Sequence, residues 1–183
     1  MSILAGMLVG IGDIIYIMSP NKIIGAVLFS LALLCIMKFN LRLYTGKIGK
    51  YYKYDFLDLT GMLSGNIIGC LTVVLIYCIS SGDFTALLIK SLYAKIQYDM
   101  LSTFILAFLC GVLMYLAVES NDHIIVIFCI TTFILSGFKH CIADAPLILL
   151  MTNPVVIVKY LLVIIGNSFG SILTHKLISE DIF

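Results

Sequence analysis

Residues 124–146 read Ile-Ile-Val-Ile-Phe-Cys-Ile-Thr-Thr-Phe-Ile-Leu-Ser-Gly-Phe-Lys-His-Cys-Ile-Ala-Asp-Ala-Pro. The run Ile124–Phe138 is about 15 residues, or about 22 Å of helix. A helix that crosses a membrane needs about 20 apolar residues, because the hydrocarbon core is about 30 Å thick. The run stops short and gives way to Ser136, Gly137, Lys139, His140, Asp144 and Pro146. Apolar residues then resume at Leu147 and continue to Met151. The pattern predicts a half helix followed by irregular backbone at membrane depth. A second stretch repeats it. Ile23–Met37 is equally short and runs into Lys38, Asn40, Arg42, Thr45, Gly46 and Lys47. Non-helical backbone is tolerated at that depth only where protein covers it or a water-filled cavity lies beside it.

Composition supports a membrane reading. Of 183 residues, 62% are hydrophobic and 11% charged, and the mean hydropathy is +1.16. A soluble domain carries about 45–50% apolar and about 25% charged residues, and at this size it could not cover so much apolar side chain. A cytosolic enzyme, a disordered chain and a basic nucleic-acid binder are excluded. The formal net charge of +1 says nothing of partners. The six cysteines form no CxxC pair and read as free buried thiols. Met1–Met18 lacks a basic start and is interrupted by Asp13, so it reads as a first membrane helix rather than a leader.

Six apolar segments follow: Ile3–Met18, Ile23–Met37, Leu59–Ile79, Asp99–Val118, Ile124–Phe138 and Val155–Thr174. The fold class expected is an all-α polytopic membrane protein in one domain, with two repeats over about residues 1–82 and 90–183. Each half has a break in its middle segment. Each also has a GNxxG in its last segment, Gly65-Asn66…Gly69 and Gly166-Asn167…Gly170. Three segments per half is an odd number, so the halves have opposite topology, and paired broken segments point to a permeation site between them. Read alone, the glycines are also consistent with simple helix packing. Lys47, Lys50, Lys53 and Lys176 against Lys22, Lys90 and Lys95 weakly favour cytoplasmic N- and C-termini.

Several stretches resemble the formate/nitrite transporter family. Gly25…Phe29-Ser-Leu-Ala-Leu33 with Leu43-Tyr44-Thr45-Gly46 is similar to its second-segment pattern. Gly137-Phe-Lys-His140-Cys-Ile-Ala-Asp144 resembles its G-F-E-H-S-I-A-N. Cys110-Gly111 to Val118 resembles its C-N-x-L-V-C-L-A-V. The resemblance runs from the first segment to the last. It implies an aquaporin-like inverted 3+3 repeat with broken second and fifth helices. It also implies a homopentamer in a bacterial inner membrane, one pore per protomer, and passage of formate, nitrite, acetate, lactate or hydrosulfide. No cofactor, metal or nucleic-acid partner is implied. By position it places Phe29, Leu33 and Leu43 on one constriction and Phe133 on the other. Thr45 falls on the threonine of the broken second helix, His140 on the central histidine, Lys95 on the vestibule lysine and Asn167 on a pore asparagine. The chain departs from the pattern at Arg42 and Lys139, where the family has acidic residues. It departs also at Leu106 for an arginine, at Gly111 and Asp144 for asparagines, and in a short connection between segments five and six.

The residues suggest a chemistry for that path. An anion entering a dry constriction faces a desolvation penalty of several kcal/mol or more. Lys95 can offset it with charge. His140 can hand the anion a proton, so that transport rises as external pH falls. Thr45 and Asn167 can hydrogen-bond an oxyanion without charge. Arg42 and Lys139, where they line the vestibules, make the path more cationic. Each also has a plainer use: Arg42 and Lys38 snorkel to the surface, and Lys139 pairs with Asp144. Gly111 is expected to widen the local space. His123 and His175, at segment ends, are expected to be solvated. A neutral-solute channel and a non-transporting membrane subunit are the competing readings. Asn153-Pro154 reads as a helix start. No enzyme constellation is present.

Overall fold

In the computed structural model, residues 1–150 and 153–180 are described. Among them are eight α-helices and no strand: α1 Ser2–Met18, α2 Lys22–Lys38, α3 Tyr44–Lys47, α4 Phe56–Ser80, α5 Gly82–Ile96, α6 Met100–Ser120, α7 His123–Leu135 and α8 Pro154–Glu180. Short 3₁₀ segments lie at Ile48–Lys53 and Ala145–Leu150. Met151, the end of the apolar tail expected after the fifth segment, lies outside the described residues.

By length and apolarity three helices can cross a membrane. They are α4, α6 and α8, with mean hydropathies of 2.1, 2.3 and 1.9 over their most apolar windows. The helices α1 and α7 are apolar but shorter, and α2 has a lysine at each end. Most helix starts are capped by side chains. Asn21 accepts from the Ile23 and Ile24 amides of α2, and Asp122 accepts from Ile124 and Ile125 of α7. Asn153 accepts from Val155 at 2.9 Å, with Pro154 as the first helical residue of α8. Asp99 caps α6 rather than belonging to it. Bonds from the Ser102 amide and hydroxyl hold its carboxyl below the usual carboxylate range.

Both short helices end the same way. Asn40 adopts φ +49° after α2, with Leu41 N donating to Ile36 O at 2.9 Å and Asn40 N to Met37 O at 3.1 Å. Gly137 adopts φ +70° after α7, with Phe138 N donating to Phe133 O at 3.0 Å and Gly137 N to Ile134 O at 3.1 Å. These are Schellman terminations, in which a left-handed residue lets two outer amides satisfy the last carbonyls. They explain why α7 stops at Leu135, three residues short of the expected Phe138.

The packing is set by glycines at two helix crossings. In α1 against α4, a Cβ at Gly6 would lie 1.9 Å from the Asn66 carbonyl oxygen, and one at Gly69 would lie 2.0 Å from that of Ile3. In α6 against α8, a Cβ at Gly111 would lie 2.2 Å from the Asn167 carbonyl oxygen, and one at Gly170 would lie 2.1 Å from that of Phe108. Helices in lipid associate through such close backbone approach rather than through hydrophobic expulsion. Gly111 therefore does not widen the local space; the backbone of α8 fills it. Between the two glycine-packed pairs, α2 and α7 lie against each other.

The helix α5 is absent from the six segments expected. Its buried side is Phe84, Leu88 and Leu92. That stripe recurs at helical spacing, and Ser81 caps the start by accepting from Phe84 N. The signal is amphipathic and too weakly apolar for a ruler built to find spans.

Candidate functional site

The interrupted segments are held by two asparagines in matching roles. Asn66 of α4 donates to Arg42 O at 2.9 Å and to Ser2 O at 2.8 Å, and accepts from Tyr44 N at 2.8 Å. Asn167 of α8 donates to Lys139 O and Ala107 O, each at 2.8 Å, and accepts from Cys141 N at 2.8 Å. Both side chains are fully buried. In each case the carbonyl and amide belong to residues flanking one position of irregular backbone. Those positions are Leu43 in one segment and His140 in the other. Buried backbone polar groups must find partners, and the asparagine of each GNxxG supplies them. Asn167 was expected to bind an oxyanion; its amide is instead engaged at both ends with backbone. The role of Asn66 was missed, although its matched motif was visible.

His140 is buried. Its Nδ1 accepts from Ala143 N at 3.2 Å, and Nε2 lies 3.0 Å from Thr45 Oγ1. Because Nδ1 faces an amide hydrogen, the proton of the neutral ring is on Nε2, directed at Thr45. The Phe133 ring centroid is 5.8 Å from that of His140.

Three spaces share lining residues in succession, and His140 lines two of them. A cavity of about 210 Å³ is lined by Asp13, Lys95, Lys139, Asp144 and His140, with Phe29 and Phe133 at its floor. A second, of about 150 Å³, is lined by Ile36, Leu43, Lys47 and Asn121. Between them is an apolar pocket of about 10 Å³ among Phe29, Leu33, Ile36, Leu43, Phe133 and His140. A site needs about 10–15 Å³ and several polar partners to hold one water; the middle is at that size limit and its lining is almost wholly apolar, so it is dry and closed to a hydrated ion. Phe29 and Phe133 meet edge to face at 6.0 Å. Phe29, Leu33, Leu43 and Phe133, expected at two constrictions, all line this one middle pocket. Backbone exit from the helix at matching places creates this arrangement, since it brings Thr45 and His140 face to face.

The charged residues fall into different partnerships from those anticipated. Lys95, at the end of α5, donates to Asp144 Oδ1 at 2.5 Å. Lys139 does not pair with Asp144; its ammonium donates to Lys95 O at 2.8 Å and sits 4.4 Å over the Tyr98 ring. Arg42 pairs with Asp58 at 2.7 Å, both side chains near half exposed, and does not line any of the three spaces. At the far end of the molecule, His175 is not simply solvated. It accepts or donates at Tyr115 Oη over 2.7 Å and stacks on Tyr52. Lys50 and Glu119 form an ion pair close by in sequence to that cluster. The cysteines are free, with Cys70, Cys110 and Cys141 buried. Among the described residues no cluster of metal-ligating side chains occurs.

A family model described as formate/nitrite transporter matches residues 1–179. Among solved structures, the chain is similar to one described as an FNT family ion channel. The TM-score is 0.82 at 20% identity, over 100% of this chain and 88% of that one. It is also similar to one described as a pentameric formate channel with formate bound. There the TM-score is 0.72 at 20% identity, over 98% of this chain and 92% of the other. At that identity the structural likeness speaks to fold alone. No curated protein matches the sequence.

Proposed function

This chain belongs to the formate/nitrite transporter family, a family of membrane channels and transporters, and from that premise we propose that it passes small monovalent anions of weak acids across a bilayer. The substrates in view are formate, nitrite, acetate, lactate and hydrosulfide, and the protein acts as a pore rather than an enzyme. The observation that carries the reading is the His140–Thr45 contact, set between a charged cavity and a dry apolar constriction.

The mechanism follows from the dryness. A bare anion in a space of about one water loses its hydration and gains no charge partner there. Lys95, Lys139 and His140 line the entry. In this reading the anion is captured near Lys95; a solvent proton enters His140 at Nδ1 as the Ala143 amide contact is released, the imidazolium gives its Nε2 proton to the anion and is left neutral, and the acid crosses Leu33 and Leu43 uncharged. Thr45 Oγ1 holds the ring and offers the substrate a hydroxyl. Asn167 and Arg42 act through position, the first by fixing the backbone on either side of His140, the second by anchoring the start of the broken second segment to α4.

The same premise extends to architecture. Residues 1–183 form one membrane domain of six segments, an inverted 3+3 repeat whose second and fifth members are broken. The paired Schellman ends, the paired asparagine clamps and the paired glycine crossings support it. A homopentamer in a bacterial inner membrane, with both termini cytoplasmic, completes the proposal. The similar solved structure described as pentameric and formate-bound supports the assembly and the substrate class.

Flux through purified protein in liposomes tests this. Formate, nitrite and hydrosulfide are expected to enter in a saturable manner, and glycerol is expected not to enter above protein-free liposomes. Glycerol flux without anion flux would favour the neutral-solute channel.

A further inference from the structure

Asp144 is 2% exposed, and its two oxygens have different fates. Oδ1 accepts from Lys95 Nζ at 2.5 Å. Oδ2 is buried and has no hydrogen-bond partner among the described residues. Both side chains line the large cavity with His140. A contact ion pair there leaves Lys95 little net charge to offer an incoming anion. An anion gains the ammonium only by displacing the carboxylate, and a displaced, unpaired carboxylate in a buried site is strongly unfavourable. That cost disappears when the carboxylate is protonated, and the orphan Oδ2 is the atom free to carry the proton.

The geometry points to Asp144 as a built-in counter-ion that is exchanged for the substrate: one weak-acid anion binds Lys95 as one proton binds Asp144. This rests on the weak-acid reading above and adds a residue that reading does not use. The step balances. When the entering species is the acid HA, its O–H bond breaks, an Oδ2–H bond forms on Asp144, and A⁻ replaces the carboxylate beside Lys95. When the entering species is A⁻, the proton comes from solvent. In both cases the cavity keeps its net charge.

The other titratable groups around the cavity have their own partners. Asp13 of α1 accepts from Cys70 of α4 at 3.8 Å. Lys139 is bonded to Lys95 O and lies over Tyr98. Lys159 of α8 donates to Ile96 O at 2.6 Å, and Tyr160 of α8 donates to Cys141 O at 2.7 Å. Tyr16 of α1 lines the cavity and lies under the Lys22 ammonium. His140 is bonded to Thr45 and Ala143. The carboxylate in contact with an ammonium of the cavity is that of Asp144. Linkage requires that the anion and the proton strengthen each other's binding by the same factor.

Calorimetric titration of the purified protein with formate, in two buffers of different ionisation enthalpy at neutral pH, counts protons taken up per anion. The wild type is expected to take up about one proton per formate. Asp144→Asn is expected to take up about none and to bind formate about tenfold more tightly or better. Asp13→Asn is expected to keep the wild-type proton uptake. The inference is overturned if wild-type binding takes up no proton, if Asp144→Asn leaves uptake and affinity unchanged, or if Asp13→Asn alone abolishes uptake. The wild-type measurement stands even where a variant does not fold. Formate flux in liposomes with unchanged Asp144→Asn behaviour sinks this inference and leaves the weak-acid pore standing. Proton-coupled binding with no flux in any preparation does the reverse.

Discussion

Gly111→Ala and Gly6→Ala are each expected to abolish recovery of folded protein, or to lower its thermal midpoint far more than a methyl added at a glycine with open space. At Gly111 the new carbon would lie 2.2 Å from the Asn167 carbonyl oxygen, and at Gly6 it would lie 1.9 Å from that of Asn66. Overpacking where side chains can yield costs about 1–3 kcal/mol. Here the obstacle is helix backbone, so the two helices of the crossing must separate, and the cost lies at or beyond the top of that range. Separation also moves the asparagine clamp, because the obstructing residue is the clamp itself. Gly61→Ala is the internal control. Nothing lies within 4 Å of a Cβ there, and alanine gains about 1 kcal/mol of helix propensity over glycine. Size-exclusion profiles and thermal scans in one detergent compare the three. Gly111→Ala and Gly61→Ala behaving alike would contradict the crossing described.

The second large effect is expected at the clamps. Asn167→Leu keeps much of the volume and loses three hydrogen bonds, to Lys139 O, Ala107 O and Cys141 N. Each buried polar group left unpaired costs about 1–3 kcal/mol. The Ala107 carbonyl lies inside a helix, so the burden falls on the two groups flanking His140. Stability and formate uptake are therefore expected to fall together. Asn167→Asp is expected to be at least as damaging: its carboxylate still accepts from Cys141 N, but its second oxygen faces the Lys139 and Ala107 carbonyl oxygens as an unpaired buried charge. Asn66→Leu is expected to act in the same way on the Arg42–Tyr44 segment and hence on Thr45. Full stability of Asn167→Leu would remove the clamp from the account.

These two sites show how far the sequence can be read. The short apolar runs before Lys38 and Ser136 revealed where helix gives way, because a spanning helix has a minimum length and these runs fall below it. The matched GNxxG motifs pointed to α4 and α8, whose asparagines make matching bonds. They did not show what the asparagines do, since a side-chain amide that binds substrate and one that binds backbone look identical in sequence. The family resemblance suggested the former. The three bonds made by Asn167 favour the latter. The charges were hardest to read. Lys139 and Asp144 are close in sequence and looked like partners, yet irregular backbone obeys no fixed side-chain spacing, and Asp144 reaches instead to Lys95 on α5. That helix was itself missed, because a narrow stripe of three buried residues carries little weight in a search for apolar runs. Gly111 was misread for a related reason. A glycine signals either open space or close approach, and only the position of the neighbouring helix decides.

The central claim is that His140 delivers a proton to the anion at the dry constriction. It is tested most directly by the initial rate of formate uptake into proteoliposomes at decreasing external pH, wild type against His140→Ala. A proton-donating group contributes about 10²–10⁴-fold to a rate that depends on it. The wild-type rate is expected to climb as pH falls, and the variant is expected to lose about a hundredfold or more at low pH, with a flattened pH profile. A His140→Ala channel that keeps both the rate and its pH dependence would contradict the claim and leave a cationic vestibule without proton transfer.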